Sequence, residues 1–451
     1  MDCSEQERFR NFVDSTMGGT PGLSVTARDN LWCKSLISAC SNGNFEFALT
    51  LLNRAEVDVE VNAKDSSGRT PLILACSSGR WDVVFELLKR KDVDVNAKDT
   101  VGRTPLILAC AKGPKYIACE LLKHKDVDVN AQDNEGGSPL IMACSKACPD
   151  VVCELLKHKD INVNVKDYNG RNPLMITCSV GRLDALCELL KRDIYDVNAQ
   201  DKRGCTALMI ACSNVQLHIT RELLKRKEVD MNAQDNSGCT PLMIACSRGL
   251  IYIACELLKR KEVDVNAQDS SGSSALITAC SKRHFHIACE LLKRKEVDVN
   301  VKDESGYTPL IMACSNGNFL TAVKLLKHEG LDVNVTDRKG RTALHVARVK
   351  DKWKIVLKIL KHRDLDVNVH GAHGNTTLIW ATLADRLDVV CEMLKDDRVD
   401  TGVRNKAGST ALDIARKCKL FEIARCLEKH SQVCLRHEWE ANLLRQDEEL
   451  K

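Results

Sequence analysis

Aromatic residues are scarce in this sequence, 4% of 451 residues, and neither charge sign dominates it: 66 Lys and Arg stand against 62 Asp and Glu, a formal net charge of +4. Binding to nucleic-acid phosphates needs many uncompensated cations, usually with aromatic faces for bases to stack on, so no nucleic-acid partner is expected. An anionic membrane surface is disfavoured on the same ground. No run of about 18 consecutive apolar residues occurs, so no membrane insertion is expected. The opening stretch, MDCSEQERFRNFVDSTMGG, places acids where a signal peptide carries a basic segment, and no apolar run follows it. The expected location is cytoplasmic, with the nucleus open as a second compartment. Catalytic patterns are lacking too. The 12 His residues are scattered, and there is neither a Gly-rich phosphate loop nor a nucleophile elbow. No catalytic residue, no cofactor and no enzymatic activity are expected.

Cysteine, in contrast, is abundant, with 23 residues, and its spacing is regular. Cys76, Cys110, Cys144, Cys178, Cys212, Cys246, Cys280 and Cys314 recur every 34 residues, and Cys40 fills the matching place in the first unit. A second Cys often follows nine residues later, as in Cys110 and Cys119 or Cys280 and Cys289. Zinc sites use ligands about two to four residues apart in paired clusters, so no metal is expected here. Free Cys packs as a small hydrophobe, and both columns are assigned to the core. Cys205 and Cys239, next to glycines between helices, are the ones expected to be exposed and open to reaction.

Glycine keeps the same period. Gly68, Gly102, Gly136, Gly170, Gly204, Gly238, Gly272, Gly306, Gly340, Gly374 and Gly408 form one column in steps of 34. Two residues after each comes Thr, Ser or Asn, then commonly Pro, then Leu, as in Thr104-Pro105-Leu106. This reads as a helix start: the side-chain oxygen caps an early N–H, and proline in the first turn forfeits no hydrogen bond. A short apolar helix follows ("LILAC"), then a turn, then an amphipathic helix ("DVVFELLKRK"). Each unit is thus an antiparallel helix pair. The links, such as "DVNAKDTVG", read as extended arms closed by a tight Asp-x-x-Gly turn, and are expected to be β-hairpins.

A 34-residue period with two helices, a turn and "G-x-TPL" resembles the ankyrin repeat over about residues 30 to 430. The resemblance implies an all-α repeat solenoid of about twelve stacked units with projecting arms. Residues 1–29 are expected to be a weakly ordered leader and residues 431–451 a charged helical tail. Two features depart from the family pattern. The His that usually follows "TPL" is replaced by Ile73, Ile107, Met175 and equivalents, with only His345 matching, so apolar packing is expected in its place. The "KDVDVN" step makes the unit 34 rather than 33 residues long. At the far end the Leu column of the second helix, from Leu88 to Leu394, becomes Glu428, as a terminal repeat facing water requires.

Stacked repeats of this kind present a concave face and no deep pocket, which points to a scaffold or adaptor, monomeric, for other proteins. The framework repeats almost verbatim while arm tips change. Arg69, Arg103, Arg171, Tyr307 and Arg341 follow the arm glycines, and Tyr168, Lys202, Arg203 and Arg338 stand at the tips. Arg and Tyr are common interface anchors, so these nine are the candidate partner-binding residues. The Asn column, Asn62, Asn96, Asn130, Asn164, Asn198, Asn232, Asn266, Asn300, Asn334 and Asn368, is expected to fix the base of each arm. Its setting also resembles the sites that an intracellular asparaginyl hydroxylase modifies in ankyrin proteins, an alternative reading in which the chain is its substrate or decoy. Basic triplets such as Lys259-Arg260-Lys261 and Lys293-Arg294-Lys295 end the second helices, where cations oppose the negative end of the helix dipole.

Overall fold

The structure is a computed structural model that describes residues 36–53, 59–146, 148–192 and 195–431. The expected leader and residues 432–451 of the expected tail lie outside the described residues.

Each first helix starts where its cap dictates. Thr104 is extended, its hydroxyl oxygen accepts the Ile107 N–H at 3.3 Å, and Pro105 opens the helix Pro105–Lys112. Asn172 does the same for Met175 at 2.9 Å ahead of Pro173–Val180. These helices are apolar almost all round, and they are buried almost all round: Leu106, Ile107, Leu108, Ala109 and Cys110 are all in the core. The second helices bury one stripe only, as Ile253, Ala254 and Leu257 do in Ile251–Leu258.

By contacts the chain divides into two units, Met1–Leu223 and Leu224–Lys451. In the first unit, Pro71–Ser77, Pro105–Lys112, Pro139–Lys146, Pro173–Val180 and Ala207–Ser213 pack each against the next. In the second, Pro241–Arg248, Ala275–Ser281, Pro309–Asn316, Ala343–Val349, Thr377–Leu383 and Ala411–Lys417 do the same. The second helices form a parallel file beside them, as Trp81–Leu88, Lys115–Leu121, Pro149–Lys157 and Leu183–Leu190 show. One repeat alone leaves its apolar faces wet. Full burial of each Leu or Ile between neighbours contributes about 1.5–3 kcal/mol, so stability comes chiefly from stacking.

The first Cys column lies in this core: Cys76, Cys110, Cys144, Cys178, Cys212, Cys246, Cys280 and Cys314 are all buried. Burial pushes the Cys144 and Cys212 thiols up to about 12, which keeps them neutral and unreactive. The second column is less deep than expected, since Cys119, Cys153, Cys187, Cys255 and Cys289 are half-buried, and so are Cys205 and Cys239. At the far end, half-buried Glu428 accepts two hydrogen bonds from Arg416, at 2.7 and 3.1 Å, an ion pair where inner repeats place Leu.

The β-hairpins expected for the arms are not confirmed. Among the described residues no strand forms, and the isolated bridge joins Gln268 to Ser274. The cause is the aspartate. Asp65 Oδ1 accepts the N–H groups of Ser67 and Arg69, both at 2.9 Å, so the side chain takes donors that a ladder would have paired. The main chain then closes in one step, with the Gly68 N–H on the Asp65 carbonyl and the Asp65 N–H on the Arg69 carbonyl. Successive turns link to each other: the Thr100 N–H donates to the Ser67 carbonyl at 3.1 Å and the Glu304 N–H to Ser271 at 2.9 Å. Glycine is required where they touch. Gly306 has φ +77°, and a Cβ there would lie 2.7 Å from the Arg338 nitrogen.

Candidate functional site

Four of the expected partner-binding arginines are spent on their own arms. Arg103 donates from Nε and Nη2 to Asp99 Oδ2 at 2.9 and 2.8 Å, and the same pairing joins Arg69 to Asp65, Arg171 to Asp167 and Arg341 to Asp337. These side chains remain only about one-third exposed, at 31–38%. The pairing ties each side chain to its own turn. Arg341 also donates to the Tyr307 hydroxyl at 3.1 Å, which brings two of the nine candidates together across neighbouring arms.

The tip residues are placed differently. Tyr168 is 69% exposed, and the Lys202 ammonium sits 3.9 Å from its ring centre, a cation–π pair between successive tips. Arg203 and Arg338 are exposed as well.

The Asn side chains reach the next repeat. Asn96 Nδ2 donates to the Asp126 carbonyl at 2.7 Å while its Oδ1 accepts the Asp128 N–H at 2.8 Å, so one amide bridges to the next repeat. Asn62, Asn130, Asn232, Asn266, Asn300, Asn334 and Asn368 repeat both bonds. For Asn164 the bond from the Asp196 N–H is 3.2 Å.

The basic triplets are absorbed in a similar way. Arg294 Nη1 donates to the Leu258 carbonyl at 2.8 Å, capping the end of the previous second helix, and Arg260 reaches the Leu224 carbonyl at 2.7 Å. Lys259 and Lys293 pair with Glu256 and Glu290 one turn back, at 3.0 and 2.6 Å. No signal within one repeat could have found the arginine caps, because donor and acceptor are 36 residues apart.

The family model for ankyrin repeats in three copies matches overlapping windows, 36–133, 82–167, 106–201, 174–269, 252–337 and 313–405, which together cover most of the chain. The chain is an ankyrin-repeat protein. Among curated proteins none matches it. Ankyrin repeats serve protein–protein interaction, and the binding role expected from the sequence stands at that level. Among the described residues, no helix of this ankyrin-repeat protein is long and apolar enough to cross a membrane, and no three His, Cys, Asp or Glu side chains converge as metal ligands.

His345 is where this ankyrin-repeat protein keeps the family's polar residue, and it is 4% exposed. Its Nδ1 lies 2.9 Å from the Thr342 hydroxyl, and the ring hydrogen-bonds the His370 backbone in the next arm. Burial, then the charge of Arg348, lower its pKa to about 4 against the opposing pull of the His370 backbone and Asp337. The unfolded chain therefore takes up this proton first. The His345 contribution is complete above about pH 6.5 and is lost as pH falls from there toward 4, by about 3 kcal/mol. His345→Leu, which supplies the apolar packing found in other repeats, is expected to flatten that limb when urea midpoints are measured at about pH 7 and about pH 5. Equal slopes for the two proteins would contradict the assignment.

Proposed function

We propose that the protein is a monomeric, non-enzymatic adaptor that holds a partner protein against its arm tips and inner helices. The observation that carries this reading is a division of labour within the repeat. The recurring Asp and Asn side chains bond within and between the arms, whereas Tyr168, Lys202, Arg203 and Arg338 differ from repeat to repeat and are exposed. A stable interface needs about 1,000 Å² or more, which several successive tips supply and one does not.

A photoreactive phenylalanine at Tyr168 tests it against the same group at Tyr252, an exposed second-helix position. A discrete adduct formed in cells from position 168 and not from 252 is the expected result. Adducts from 252 alone would move the interface to the second helices.

The alternative reading, a substrate or decoy for an asparaginyl hydroxylase, is supported by the column itself and by the exposure of Asn164. Against it works the double tether of most members, both bonds of which the enzyme has to break. A mass increase of about 16 Da on these asparagines in cell-derived protein supports it, and unmodified asparagines after treatment with active hydroxylase end it.

A further inference from the structure

Two edits to the repeat meet in the second unit. Arg348 occupies the column that holds Cys from Cys76 to Cys314, and Trp380 occupies, one repeat later, the column of Leu74 and Leu108. The Arg348 guanidinium carbon lies 4.5 Å from the Trp380 ring centre. Arg348 is only 8% exposed, burial lowers its pKa to about 10, and its Nη1 is buried without an acceptor. Trp380 Nε1 is buried without an acceptor as well. Both residues line one cleft of about 340 Å³ with Val349, Asp351, Trp353 and Ala384.

Among the described residues no carboxylate pairs with Arg348. Asp351 is the acid of this cleft, but it accepts the Trp353 indole N–H, and its charge acts on Arg386, whose guanidinium stacks 5.1 Å from the Trp353 ring centre. Arg416 makes the contrast clear: in the same column, near the surface, it finds Glu428 at 2.7 Å. A buried guanidinium without a counter-charge costs several kcal/mol, and a small thiol fills this column from Cys76 to Cys314 and Thr382 follows it, so the fold does not require arginine here. Its planar fork suits a two-oxygen acceptor, an indole N–H adds a third donor, and the indole faces and Val349 suit an apolar neighbour.

We propose that Arg348 and Trp380 form a binding site for a carboxylate carried beside an apolar group, supplied by a short peptide segment as its free terminus or an acidic side chain. The site lies at the far end of the helix Ala343–Val349 from its arm, so it does not depend on the arm-tip reading.

The test titrates the full chain with three peptides, following tryptophan fluorescence and melting temperature: N-acetyl-leucyl-phenylalanine, the amide of the same dipeptide, and a doubly capped leucyl-glutamyl-leucine. At least one of the two carboxylate peptides is expected to bind with Kd at or below about 1 mM, the amide at least tenfold more weakly. The tighter of the two identifies terminus or side chain as the source. Arg348→Cys restores the column residue, so it is expected to melt no lower than the parent and to lose binding at least tenfold. Trp380→Phe keeps the stacked ring, removes the N–H and is expected to weaken binding by about threefold to tenfold. Equal binding of acid and amide overturns the proposal, as does undiminished binding by Arg348→Cys or no binding of either carboxylate up to about 10 mM. Inorganic phosphate binding more tightly than both peptides overturns the carboxylate assignment.

Discussion

Asp337→Ala is expected to destabilise the unit Leu224–Lys451 by about 3 kcal/mol, far more than a surface substitution does. The side chain of Asp337 is 1% exposed and serves four donors: the Lys339 N–H at 2.8 Å, the Arg341 N–H at 2.9 Å, and Arg341 Nε and Nη2 at 2.9 and 2.8 Å. Alanine leaves two backbone donors and a half-buried guanidinium unserved together. Arg341→Ala leaves the carboxylate its two backbone partners and is expected to cost about 1 kcal/mol. Burial by itself would raise the Asp337 pKa; the hydrogen bonds from Arg341 and Lys339 outweigh it and hold the carboxyl below its usual value. Its contribution is therefore present above about pH 4 and lost as pH falls further. Urea midpoints for the two variants provide the comparison, and a larger loss for Arg341→Ala than for Asp337→Ala would contradict this ranking.

The second large effect belongs to the asparagine bridges. Asn266 donates to the Glu296 carbonyl at 2.6 Å and accepts the Asp298 N–H at 2.8 Å. Asn266→Ala removes both and is expected to cost about 2 kcal/mol. Asn266→Asp is expected to cost at least as much, because it turns an acceptor toward the Glu296 carbonyl. The bridges couple one repeat to the next, so Asn232→Ala, Asn266→Ala and Asn300→Ala combined are expected to lose about 6 kcal/mol and to lower the urea m-value as repeats begin to unfold separately. A full loss of stability with an unchanged m-value would show that the bridges do not carry cooperativity.

The helix caps were legible in the sequence because they are local: Thr, Pro and Leu sit within one turn of the bond they make. The buried Cys column was legible because its period matches the first helix's fully buried setting. The arm's inner bonding was not legible, since a pattern of β-branched residues before a glycine does not reveal that Asp65 binds the loop's own N–H groups. Arg103 and its equivalents, candidate partner anchors, also pair with the Asp four residues earlier, and that spacing carries the pairing. The reach of Asn96 across 30 and 32 residues could not be read, because contact between repeats appears only when one is stacked on the next. Arg348 and Trp380 stand in different columns of successive repeats, and nothing in a single copy signals that they touch.

Partner recognition by the arm tips is tested most directly by affinity for the protein captured at position 168, measured for the parent chain and for the combined variant Tyr168→Ala, Lys202→Ala and Arg203→Ala. These side chains are exposed, so the variant is expected to melt close to the parent and to bind at least tenfold more weakly. Undiminished affinity in a variant of equal stability would contradict the account and place recognition elsewhere on the repeats.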